Sequence, residues 1–195
     1  MVQADHPWLA IAPAAPARPS GPHDVLTGPA EPQPGVAVPD AADRLPRRTI
    51  SRVAPLWWVG AHGGAGETVL SRLVAESQAA EHCWPQHPEM TTNVVLVART
   101  DAAGLRAAQR AAADWASGSV SGVRLLGLMV VADAPGRLPH TLRSLVRLVG
   151  GGVPRVWHMP WVECWRLGEP VELASAPVRV RATINDLNRH SVIAY

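Results

Sequence analysis

Leu56-Trp57-Trp58-Val59-Gly60-Ala61-His62-Gly63-Gly64-Ala65-Gly66-Glu67-Thr68 reads as an apolar strand, a glycine loop and the start of a helix. A phosphate-binding glycine loop has that order but needs Lys just before its Ser/Thr, and Glu67 stands there. No lysine elsewhere can substitute, because all 18 basic residues are Arg. Free backbone N–H groups and a helix dipole favour an anion at such a loop, and Gly63, Gly64 and Gly66 permit close approach. Glu67 opposes it. Two unit charges 4 Å apart interact by roughly 4 kcal/mol at an effective dielectric of 20, so exchanging attraction for repulsion works strongly against phosphate.

Working outward, the chain changes character at about residue 52. Residues 1–52 hold ten of the 19 prolines and little hydrophobic periodicity, so they are expected to be a disordered Pro/Ala-rich tail. Trp8-Leu9-Ala10-Ile11 is an apolar island within it, either a docking peptide or a chance cluster, and Arg44, Arg47, Arg48 and Arg52 form a basic hinge. Residues 53–190 read as one domain and 191–195 as its C-terminal end. Continuous apolar runs at Leu56–Val59, Val94–Ala98, Leu125–Ala132 and Val156–Met159 predict parallel strands covered on both faces. Helices are predicted over Thr68–Ala80, Ala102–Ala116 (capped by Asp101), Pro139–Val149 (stopped by Gly150-Gly151-Gly152) and Val178–Asn188. The alternation predicts an α/β fold, a small doubly wound parallel sheet.

Composition bounds the rest. A net charge of +2 marks no avid polyanion binder, and Cys83 and Cys164 make no disulfide framework. The absence of Lys and Phe fits GC-rich codon usage, which accounts for Lys→Arg but not for Lys→Glu. Residues 125–132 are too short to span a bilayer, and the N-terminus lacks a signal-peptide pattern, so a cytoplasmic location is expected.

The loop resembles the deviant phosphate loop of the ParA/MinD ATPases, G-K-G-G-x-G-K-[ST]. Gly63, Gly64, Gly66 and Thr68 match; Ala61, His62 and Glu67 replace a glycine and two phosphate-contacting lysines. Val95–Thr100, Leu126–Asp133, and Val156–Trp161 followed by Gly168-Glu169-Pro170-Val171 are similar to later parts of that family, so the likeness covers roughly residues 55–190. Only about 25 residues separate Thr68 from Val94, too few for the family's switch segment and Walker B strand, and no D-x-x-G appears. The stretches Gly60–Leu70, Val94–Thr100, Ala132–Pro139 and Pro160–Gly168 more closely resemble an uncharacterised family from high-GC Gram-positive bacteria, often encoded near conjugation genes.

The resemblance implies a nucleotide, ATP or ADP with Mg²⁺, held by Gly63, Gly64, Ala65, Gly66, Glu67, Thr68 and Val69. Thr68 would meet the metal, and Asp133, Pro160 and Trp161 would lie on the base side. His62 would stand where the family's lysine reaches across a homodimer. Arg99, by its position at a strand end, is the candidate substitute for the lost lysine. The leading expectation is a catalytically degenerate, at most weakly nucleotide-binding module that works through a protein partner, in conjugation or plasmid maintenance. The alternatives are an active ATPase using an arginine, and a nonspecific DNA binder using Arg143, Arg147, Arg155, Arg166, Arg179, Arg181 and Arg189.

Three weaker constellations remain. His82, Cys83 and His87 with distant Cys164 offer metal ligands at no common zinc spacing. Ser71, His140 and Asp133 lack the elbow of a catalytic triad. Trp157, Trp161 and Trp165 fit core packing, or a stacking surface.

Overall fold

The computed structural model describes residues 26–191. Trp8–Ile11 and residues 192–195 lie outside that span. Seven strands are described: β1 Arg47–Thr49, β2 Trp57–Gly60, β3 Gln78–Ala79, β4 Trp84–Gln86, β5 Thr92–Arg99, β6 Val123–Val131 and β7 Val156–Met159. Five α-helices and one 3-10 helix (Ala41–Asp43) accompany them: α1 Glu67–Leu73, α2 Ala102–Ala116, α3 His140–Gly150, α4 Glu163–Arg166 and α5 Val178–Ser191. One five-stranded parallel sheet runs in the order β3-β2-β5-β6-β7, and β1 and β4 form a separate parallel pair.

The apolar runs form strands because both of their faces are covered. Along β5, Val94, Leu96 and Ala98 enter one hydrophobic cluster and Val95 and Val97 the other, as the two-residue period of a strand requires. Leu105, Ala108, Ala112 and Trp115 of α2 and Val146 and Val149 of α3 fill the first cluster. Leu70 and Leu73 of α1 and Val180, Ile184 and Leu187 of α5 fill the second. The sheet is therefore sandwiched between helices. None of the helices among the described residues is long and apolar enough to cross a membrane.

Two local features tighten the sheet. The register between β5 and β6 slips after Val94, leaving Leu126 without a partner, a β-bulge. Just beyond it, a Cβ added at Gly127 (φ 157°) would collide with the Arg155 carbonyl and come within 2.7 Å of Trp157 Cζ3, so a side chain has no room. On α2, the fully buried Asp114 carboxylate accepts from Trp84 Nε1 (3.1 Å) and Ser119 Oγ and lies 3.7 Å from the Arg47 guanidinium.

Two expectations are corrected. The helix predicted over Thr68–Ala80 ends at Leu73. Val74 turns extended, Glu76 takes φ 60°, and Ser77 Oγ accepts from Trp58 Nε1 (3.0 Å) while donating to the Val74 carbonyl (2.8 Å). Gln78 and Ala79 then join the sheet beside Trp57 and Trp58, so edge pairing overrides helical propensity. The second correction concerns residues 26–52, expected to be disordered. Thr27 N–H donates to the Pro154 carbonyl (2.9 Å), Gln33 N–H to that of Ala116 (2.8 Å), and Arg47–Thr49 pair with β4. Leu45 and Ile50 pack on the first cluster. A proline-rich strap needs few such anchors, because proline has less backbone freedom to lose.

Candidate functional site

The glycine loop leaves β2 at Gly60 and enters α1 at Glu67, at the carboxyl end of the sheet, where open α/β folds bind ligands. Gly64 (φ 77°) and Gly66 (φ 108°) adopt the left-handed conformation that glycine tolerates, and space beside Gly63 and Gly64 is open. A turn closes where Ala65 N–H donates to the His62 carbonyl (3.3 Å).

Glu67 faces away from that opening. Its side chain is only 6% exposed, and Oε2 accepts from Gly60 N–H at 2.6 Å and, more weakly, from His82 N–H at 3.5 Å. His82 Nδ1 lies 3.2 Å from Glu67 Oε1 and 3.3 Å from the Gly60 carbonyl, so one ring N–H serves both oxygens. The carboxylate closes the strand end onto the segment at His82. Gly60 is required there, since a Cβ would come within 2.6 Å of His82 Nδ1 and 3.1 Å of Glu67 Oε2.

The other loop residues are also engaged with the body of the protein. His62 Nε2 accepts from Arg99 N–H (3.1 Å), so its proton sits on Nδ1, which donates to the Gly63 carbonyl (2.9 Å). Gly104, at the start of α2, lets His62 approach, because a Cβ there would meet Nε2 at 2.7 Å. Arg99 bridges two elements: Nε donates to the Gly64 carbonyl (3.2 Å) and Nη1 to that of Ala132 (3.1 Å). Thr68 is exposed, and Ala65 is buried.

Two cavities continue from the loop across the sheet end. The smaller, about 190 Å³, is lined by Gly66, Val69, Arg99, Pro160 and Trp161, among others. The larger, about 630 Å³, is lined by residues including Asp133, Arg137, His158, Pro160 and Arg179. They share Ala132, Met159 and Pro160. The predicted base-side residues thus come together at the sheet end with Gly66, Val69 and Arg99, while Thr68 and Glu67 line neither cavity.

In the larger cavity, Asp133 N–H donates to Thr100 Oγ1 (2.9 Å), and Thr183 Oγ1 is 3.1 Å from the His158 carbonyl. Surrounding protein strips water from the His158 imidazole and lowers its pKa from the ordinary histidine range, although solvent still reaches it through the cavity mouth.

Sequence reasoning missed His82 as the partner of Glu67, because 15 residues separate them and no local pattern links them. It also missed Arg137 as a cavity residue, whereas His158 lies at a strand end where the sequence pattern puts ligands. Among the described residues no three His, Cys, Asp or Glu side chains gather to hold a metal. Cys83 is buried, which pushes its thiol pKa up, and its Sγ donates to the Ala80 carbonyl (2.6 Å). Trp157 is buried, and its Nε1 donates to Asp186 Oδ2 (2.9 Å), tying β7 to α5; Trp161 and Trp165 are half-buried at the smaller cavity.

Residues 54–184 match the family described as "Family of unknown function (DUF6668)". The chain belongs to the DUF6668 family. The matched span begins at the end of the strap and runs into α5, so the glycine loop, the Glu67–His82 closure and both cavities fall within the DUF6668 region. No curated protein and no solved structure matches the chain.

Proposed function

We propose that this is a degenerate ParA/MinD-like P-loop domain that acts as a binding or assembly module, at most weakly binding nucleotide and acting through a protein partner. The observation that carries the reading is Glu67. It stands in the P-loop lysine's place, and its carboxylate is spent on Gly60 N–H and His82. A phosphate-binding loop keeps a cation facing its opening. Here the position holds an anion that braces the loop from behind.

The test is calorimetric titration of ATP–Mg²⁺ and ADP into the full chain. The expected result is no heat, or binding weaker than about 1 mM, the range in which association is worth no more than about 4 kcal/mol. Submicromolar binding would overturn the reading.

One observation favours a second reading, an active ATPase. Arg99 reaches the loop from the end of β5, with Nε 3.2 Å from the Gly64 carbonyl. A ligand would have to draw it from that carbonyl and from Ala132, so the cation is near but occupied. Turnover that survives repurification and disappears in both Arg99→Ala and Thr68→Ala would establish this alternative.

A further inference from the structure

The cations that the glycine loop lacks stand at the other end of the same trough. Arg137, on the turn after β6, and Arg179, in the first turn of α5, both line the 630 Å³ cavity. Among the described residues neither guanidinium has a carboxylate partner, in contrast to Arg48, Arg110 and Arg189, which pair with Glu81, Asp43 and Asp186. Apolar residues share the lining with them: Leu138 and Leu142 from the α3 side, Met159 and Pro160 from β7 and its exit. The volume falls within the range of sites that enclose small organic molecules.

We propose that this cavity binds a small organic anion. Arg137 and Arg179 hold its carboxylate or phosphate, and an apolar or aromatic body rests on Leu138 and Leu142. A guanidinium offers paired N–H donors that match either anion. The apolar walls favour a ligand with a carbon body over inorganic phosphate, which would leave that surface wet. Asp133 sets a further limit. It lines the same space without a side-chain partner among the described residues, and Asp101, whose Oδ1 accepts from Gly104 N–H (2.8 Å), lines it too, so a second negative charge is repelled and a hydrogen-bond donor is welcome. A triphosphate fails that condition; a carboxylate meets it, and a phosphate monoester meets it once protonated to the monoanion. His158 lines the same cavity and adds a hydrogen-bonding imidazole.

The inference rests partly on the reading of the loop, since the anion is drawn here because the loop offers no free cation. The experiment uses ¹H–¹⁵N correlation spectra of the full chain, titrated separately with benzoate, phenyl phosphate, benzyl alcohol, inorganic phosphate and ATP–Mg²⁺. The expected result is that benzoate or phenyl phosphate shifts amides within 133–142 and 179–183, and the tighter of the two identifies the anion class. Benzyl alcohol and inorganic phosphate should bind at least about tenfold more weakly. Arg137→Gln and Arg179→Gln should each weaken the anion about tenfold, as loss of a charge-assisted hydrogen bond implies. Both side chains are exposed, so these variants keep the fold, which circular dichroism verifies.

Equal affinity for benzyl alcohol and benzoate, no response to Arg179→Gln, or shifts confined to residues 60–68 would each overturn the proposal. If ATP–Mg²⁺ shifts residues 60–68 while benzoate still shifts 133–142, the reading of the loop fails and the cavity assignment stands.

Discussion

Restoring the lysine that phosphate-binding loops carry should damage this protein. In Glu67→Lys, Gly60 N–H loses an acceptor at 2.6 Å and His82 N–H a weaker one at 3.5 Å. A hydrogen bond to a charged group contributes about 1.5–3 kcal/mol, and a buried donor left unsatisfied costs about 1–3 kcal/mol. The first loss alone therefore sets a floor near 2 kcal/mol. The new ammonium would meet the fixed donors Gly60 N–H and His82 N–H, although its long stem allows partial escape to solvent. About 3 kcal/mol is the expected total. In a chain of this size that lowers Tm by roughly 6–12 °C. Urea denaturation should show a lower midpoint at unchanged slope, with Glu67→Gln closer to wild type because one amide oxygen still accepts. A Glu67→Lys variant as stable as wild type, or one that gains both stability and nucleotide affinity, would refute the bracing role of Glu67.

Other perturbations follow from the same geometry. Gly127→Ala should cost roughly 3 kcal/mol or more, since its Cβ would collide with the Arg155 carbonyl and Trp157 at a backbone angle side chains rarely adopt; chemical denaturation measures it. Trp84→Phe should cost about 1.5–3 kcal/mol on the same assay by removing the Nε1 donor from the buried Asp114 carboxylate. Burial alone would raise the Asp186 pKa, but hydrogen bonds from Arg189 and Trp157, with His190 nearby, hold it below the ordinary carboxylate value. The charged form is thus favoured in the folded state, so its stabilisation is present above about pH 4 and fades as pH falls through the lowered native pKa. Melting curves of wild type and Asp186→Asn should accordingly differ near neutrality and converge in acid.

The parts of the fold legible in the sequence are those whose pattern is local and long. β5 and β6 carry long apolar runs, Val94–Ala98 and Leu125–Val131, and β7 is apolar but for His158. The α2 stripe Leu105, Ala108, Ala112 and Trp115 is buried as its spacing predicts. What escaped is held by contacts distant in sequence. Strand β3 has two residues and exists because Trp57 and Trp58 offer an open edge. The strap at residues 26–52 is fastened by single backbone bonds to Pro154 and Ala116, which no composition reveals. Strand-end logic pointed to Arg99 and Asp133, and both line cavities beyond the carboxyl ends of β5 and β6. It did not find where Glu67 would point, because the deciding partner, His82, lies past an intervening strand in a pair of residues with positive φ, Glu81 and His82.

The strap also gives the molecule two poles. Thr27 is fastened at Pro154, just before β7 begins, and Gln33 at Ala116, the last residue of α2. In a parallel sheet both points belong to the end where strands start, whereas the glycine loop and the two cavities stand where strands finish. The sheet's own length therefore separates the point where residues 1–25 join from the mouth of the candidate site. A partner that docks at the end where the strands start would thus face away from the candidate site, with the length of the sheet between them.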